Sequence, residues 1–155
     1  MNMLRTAFRS LLASAVLAAP LAHADGYRSA PLLPKYLQEC SGCHIAYPLG
    51  ALPAASWQRL LQNLPRHFGT DASLDPATLQ EISAWAAANT DTWKRVAAMP
   101  PEDRITRSAW FERKHHEVDA GAWKAAAVKT PSNCAACHPG AATGDFNEHR
   151  VHIPR

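Results

Sequence analysis

The pentapeptide Cys40-Ser41-Gly42-Cys43-His44 recurs as Cys134-Ala135-Ala136-Cys137-His138, and this repeat limits what the chain can become more than any other feature. Two cysteines three positions apart, followed at once by histidine, form the attachment motif for c-type haem. On a helix, positions i, i+3 and i+4 share one face. Both sulfurs can then form thioethers with the haem vinyl groups while the histidine reaches the iron. The motif assigns Cys40, Cys43, Cys134 and Cys137 to covalent attachment of two haem c groups, with His44 and His138 as proximal iron ligands. Other uses of four cysteines explain less. The two pairs lie about 90 residues apart, outside the usual spacing of a four-cysteine zinc site. A thioredoxin-like redox pair opens a helix in a βαβ unit, and no parallel-strand pattern is present. Two disulfides would leave both trailing histidines without a role.

The N-terminal segment bears on the redox setting. Arg5 and Arg9 precede an apolar stretch from Leu11 to Leu21 and then Ala22-His23-Ala24. A charged start, a short apolar middle and an A-x-A ending describe a signal peptide over residues 1–24, cleaved before Asp25. The stretch is well short of the ~20 residues that span a bilayer, and no later segment is apolar enough to do so. A periplasmic destination follows, with no membrane span in the mature chain. Losing the segment removes two arginines and no acid, so the formal charge falls from +3 to +1. With that balance and no basic run, nucleic acid is not an expected partner.

The 155 residues favour one compact domain, or two very small ones sharing a core. Alanine is abundant while Ile, Val, Tyr and Phe are scarce, which argues against an all-β fold. The expected class is all-α: a cytochrome c-like N-terminal half, residues 25–100, and a short C-terminal haem-binding half, residues 101–155. Pro100-Pro101 marks the boundary between them. Trp57, Leu60, Leu61 and Leu64 form the apolar stripe of an amphipathic helix that Ser56 would cap and Pro65 ends. Asp75-Pro76 is a strong helix start, and that helix turns Leu79, Ile82, Trp85 and Ala86 inward before stopping near Asn89. Residues Pro101 to Val118 read as mixed helix or extended turn. Asp119 starts a short helix containing Trp123 and Val128, and Thr130 to Asn133 opens the second haem helix. Trp57, Trp85, Trp93, Trp110 and Trp123 are expected to fill core and pack on the haems.

The sixth iron position sets potential and reactivity: methionine raises the potential, a second histidine lowers it, and a vacancy admits small ligands. Without Met1 and Met3, Met99 is the one remaining methionine. His67 lies in a loop between two amphipathic helices in the same half as the first haem, with Met99 as its rival. His115 and His116 follow the apolar pair Trp110-Phe111; neighbours on a helix point about 100° apart, so one of them is the distal ligand of the second haem. His149 and His152, beside Glu148 and Arg150, read as solvated surface residues.

The sequence resembles the dihaem cytochrome c family of exported bacterial electron carriers. The likeness runs from Cys40 to the C-terminus and rests on Asn63 to Thr70, on Arg104-Ile105-Thr106 followed by Trp110 to His115, on Asn133 to His138, and on Gly144-Asp145-Phe146. It implies two low-potential, bis-histidine haems close together in a helical protein, with His67 and His115 at the family's distal positions. It also implies redox partner proteins, including a small oxygen-binding haem protein or a membrane cytochrome b. The expected function is therefore shuttling of single electrons without enzymatic turnover. The competing reading is a haem enzyme, or a gas-binding module, with one open or displaceable distal site; no acid, base and charge clamp is evident for it. Arg104, Arg107, Arg113 and Lys114 are the densest basic group, expected either to line a docking face or propionates, or to form a solvated helix face.

Overall fold

The computed structural model describes residues 31–90, Val96 and residues 98–154. The expected signal segment and Trp93 lie outside the described residues. Within them the chain is helical, with no strand beyond one isolated bridge between His67 and Thr70.

Three helices build the first half. α1 (Pro34–Cys40) starts on its proline, whose fixed φ and missing N–H suit the first helical position. α2 (Ala54–Gln62) likewise follows a proline, Pro53, in extended conformation. Ser56 therefore sits inside α2 and is fully buried, so the expected serine cap is not formed. Pro53 had already set the boundary three residues earlier. α3 (Pro76–Asn89) begins as expected: the Asp75 carboxylate accepts from the backbone N–H groups of Ala77 and Thr78 at 3.1 and 3.0 Å. These three helices enclose one core of Tyr36, Leu49, Leu52, Trp57, Leu61 and Ile82, in which Ile82 is completely buried. Tyr36 stands edge-on to Trp57 and lies against Trp85, and the Trp57 indole donates to the Leu49 carbonyl at 2.6 Å.

The second half has little regular structure. α4 (Ala109–Lys114) is capped by the buried Ser108, whose hydroxyl accepts from Phe111 N–H at 3.3 Å. α5 (Ala120–Lys124) is capped by Asp119, as expected, and carries Trp123; Val128 lies beyond its end, though it is buried. Contacts cross the Pro100–Pro101 position freely. Ile105 packs on the first core, Arg59 pairs with Asp103 at 2.8 Å, the Trp110 indole donates to the Ala51 carbonyl at 3.2 Å, and the Tyr47 hydroxyl donates to the Ser132 carbonyl at 2.7 Å.

Neither cysteine motif is helical throughout. α1 ends at Cys40, where the Ser41 backbone and hydroxyl both bond back to the Leu37 carbonyl and Gly42 follows, leaving Cys43 and His44 in turns. The second motif is a single 3₁₀ turn, Cys134–Ala136, bounded in sequence by Pro131 and Pro139. Serine back-bonding, glycine and proline all favour stopping a helix here.

Candidate metal centres

Each motif histidine faces a second histidine. The His44 and His67 rings have centroids 6.1 Å apart, with planes inclined by 31°. The His115 and His138 rings are 6.2 Å apart, inclined by 76°. Two imidazoles bound to one metal through bonds of about 2.0 Å have centroids roughly 6 Å apart. Both pairs thus have the separation needed to hold one iron between them.

Local structure explains how each histidine arrives there. His67 ends the 3₁₀ turn Leu64–Arg66, which is anchored by the buried Leu64, and opens a tight turn closed by Thr70 N–H on its carbonyl at 3.0 Å. The central residues Phe68 and Gly69 have φ of +50° and +94°, the pattern of a type I′ turn. Glycine suits that conformation, whereas phenylalanine is strained in it. Phe68 is 43% exposed, packs edge-on to His67 and carries the Arg104 guanidinium 4.3 Å from its ring centre.

His115 follows α4 directly. The Ser108 cap sets the helix register, Phe111 is buried, and His115 lies one turn later on the same face. Its ring stacks on Phe111, centroids 3.9 Å apart, and its Nδ1 lies 2.8 Å from the Phe111 carbonyl. His44 has a similar tether, Nδ1 to the Ile45 carbonyl at 2.7 Å, and its ring stacks on Tyr47. An Nδ1–H held on a carbonyl leaves Nε2 as the lone-pair donor, the tautomer that metal ligation requires. His67 and His138 each have a buried Nδ1 without a hydrogen-bond partner.

The other candidates stand apart. His116 is exposed, with its Nδ1 on the Arg113 carbonyl and Glu117 at 3.8 Å. Met99 is 58% exposed, and its sulfur lies 3.2 Å from Arg59. His149 and His152 are exposed, as the sequence suggests. The basic group divides: Arg104 and Arg107 pair with Glu102 near the first centre, Lys114 pairs with Glu148 beside the second, and Arg113 leans on the Ala109 carbonyl.

Around the second pair lies an apolar cleft walled by Phe111, Trp123, Val128 and Phe146, with Cys134 and Cys137 at its edge. Part of the wall comes from the C-terminal tail, of which the sequence singles out Gly144-Asp145-Phe146 without assigning it to the site. Phe146 lies 5.4 Å from His138, the His152 N–H donates to the Cys137 carbonyl at 2.9 Å, and Arg150 pairs with Asp145. The tail's start passes so close to Gly140 that a Cβ there would lie 2.7 Å from that of Asp145.

The electrostatics favour ligation. Burial lowers the His67 pKa, with His44 and Arg104 acting in the same direction; burial and His115 lower that of His138. Both imidazoles are held neutral, as ligands must be. All four cysteines are unpaired. Burial pushes the Cys40 and Cys134 thiols up to about 11 and raises that of Cys137, so these three stay protonated at neutral pH and are poor disulfide nucleophiles. Two imidazole pairs of iron-spanning separation, each beside a pair of free thiols and the second in an apolar cleft, fit haem c.

Comparison with known proteins agrees. The dihaem cytochrome c family profile matches residues 36–146. The diheme cytochrome c from Rhodobacter sphaeroides is 43% identical, with a TM-score of 0.66 over 74% of this chain and 96% of that one. The diheme cytochrome type c from Shewanella baltica OS155 is 35% identical, with a TM-score of 0.70 over 81% of this chain and 95% of that one. No curated protein matches the chain.

Proposed function

The chain belongs to the dihaem cytochrome c family and carries two covalently bound haem c groups, and we propose that it is an exported carrier passing single electrons between redox proteins. Bound haem supplies a one-electron ferric/ferrous couple. We assign the attachment to Cys40 and Cys43 at the first site and to Cys134 and Cys137 at the second. The irons take His44 with His67, and His138 with His115. The observation that supports this reading is the pair of ring separations, 6.1 and 6.2 Å, each of which would let two imidazoles hold one iron. Paired imidazoles favour a low potential relative to histidine with methionine. Phe111 and Tyr47 hold the tethered rings in place. The apolar walls of the second cleft would shield a group bound there from water.

The division at Pro100–Pro101 is best understood as a division of haem sites, since packing and hydrogen bonds join the two sides. The charged N-terminus and A-x-A sequence support export to the periplasm. None of the described helices is long and apolar enough to cross a membrane. As the family resemblance implies, its partners are redox proteins: a small oxygen-binding cytochrome or a membrane cytochrome b.

The test is spectroscopic. Oxidised protein should show the near-infrared band of histidine–histidine iron at both haems, and ferrous protein should fail to bind carbon monoxide promptly. Prompt stoichiometric binding would instead mark a haem enzyme or gas-binding module.

A further inference from the structure

Tyr47 touches both centres. Its ring lies over the His44 imidazole, centroids 4.6 Å apart and planes 20° from parallel. Its hydroxyl donates at 2.7 Å to the carbonyl of Ser132, two residues before Cys134. The same residue borders the cleft that His115, His138, Cys134 and Cys137 line. Its backbone is fixed as well, since the Tyr47 carbonyl accepts from the buried Tyr36 hydroxyl at 2.9 Å. Trp110 also ties the halves together through the Ala51 carbonyl, and both residues line the same cleft; Tyr47 adds the ring contact with His44.

From these contacts we infer that Tyr47 is a positioning residue that joins the two haem sites, its ring providing the contact through which they exchange electrons. The inference rests on the carrier reading. The exchange it serves moves one electron: one iron goes from ferrous to ferric as the other goes from ferric to ferrous. No bond forms or breaks and no proton moves. The tyrosine itself undergoes no net change, and its hydroxyl keeps its proton in the hydrogen bond to the Ser132 carbonyl. What the ring contributes is a fixed, polarisable bridge where a smaller side chain would leave a gap.

The experiment uses the haem-loaded protein. A photochemical one-electron donor is added below one equivalent, and redistribution between the haems is followed by transient absorption. Y47F keeps the ring and should exchange at close to the wild-type rate. Y47L and Y47M, which remove the ring from between the two sites, should slow exchange at least severalfold. Both haems should stay low-spin throughout. An unchanged rate in low-spin Y47L or Y47M overturns the inference, as does a Y47F rate as slow as theirs, which would place the effect in the hydrogen bond. Should the aliphatic variants not take up both haems, the wild type decides: the Tyr47 ring proton resonances should shift in two steps as the haems are oxidised in turn, and a response to one haem alone overturns the assignment. Failure of the carrier reading has a separate signature, prompt carbon monoxide binding by the wild type.

Discussion

His67 and His115 reach their positions by different physical means, and each suggests a different vulnerability. His115 is braced by stacking on Phe111 and by an Nδ1 contact to the Phe111 carbonyl. His67 has no such tether and depends on a turn whose Phe68 is strained at φ +50°. Replacing either histidine by alanine should convert one haem, and only one, to a high-spin form that binds carbon monoxide. The two conversions should differ in electron paramagnetic resonance. Imidazole planes close to parallel, as at 31°, split the iron d orbitals strongly, whereas planes near perpendicular, as at 76°, largely cancel. H67A should therefore remove the more rhombic low-spin signal and H115A the more axial one. His67 and His138 fix the sign of an acid effect. The folded pKa values of His67 and His138 lie below the ordinary value near 6.5, so the unfolded chain takes up protons first. Stability should be full above about pH 6.5 and fall as the pH drops below it, and denaturant titrations across pH 7 to 5 would detect this.

At the scale of the element, α3 is the most self-sufficient part of the chain. Asp75 caps it, Pro76 begins it, and the Asn89 amide closes it on the Trp85 carbonyl at 2.8 Å. D75A should lower Tm by several degrees while leaving the haem spectra unchanged, and D75N should recover most of the loss because asparagine also caps. Ile82→Ala empties the centre of the first core and should cost about 2–5 kcal/mol in chemical unfolding. These features were legible beforehand because capping and amphipathic spacing act within a few residues. Ser56 misled for the complementary reason: a local serine signal was overridden by Pro53, which had begun the helix earlier. The cysteine motifs were expected on helices, yet short-range breakers, Ser41-Gly42 in one and the flanking prolines in the other, leave turns. Val128 was expected inside the helix that Asp119 starts, yet it lies beyond that helix, and its burial comes from packing around the second cleft and not from helical phase.

For the molecule as a whole, the packed core belongs to the first half, and the second half is turns and two short helices around an apolar cleft. Such a cleft exposes its walls unless a large flat group fills it, so haem binding contributes directly to folding free energy. Protein made without haem attachment should show weak, non-cooperative thermal unfolding by circular dichroism, against a cooperative transition for the loaded form. The sequence by itself determined the two cysteine motifs with their trailing histidines, the helical class and the best-capped helix, because each is written in residues at most a few positions apart. It narrowed the distal ligands to a few histidines and one methionine. Only the tertiary structure set His67 opposite His44 and His115 opposite His138, turned His116 and Met99 away, and brought the tail and Tyr47 to the second centre. Those outcomes depend on contacts across as many as 85 positions, and no local periodicity encodes a distance of that kind.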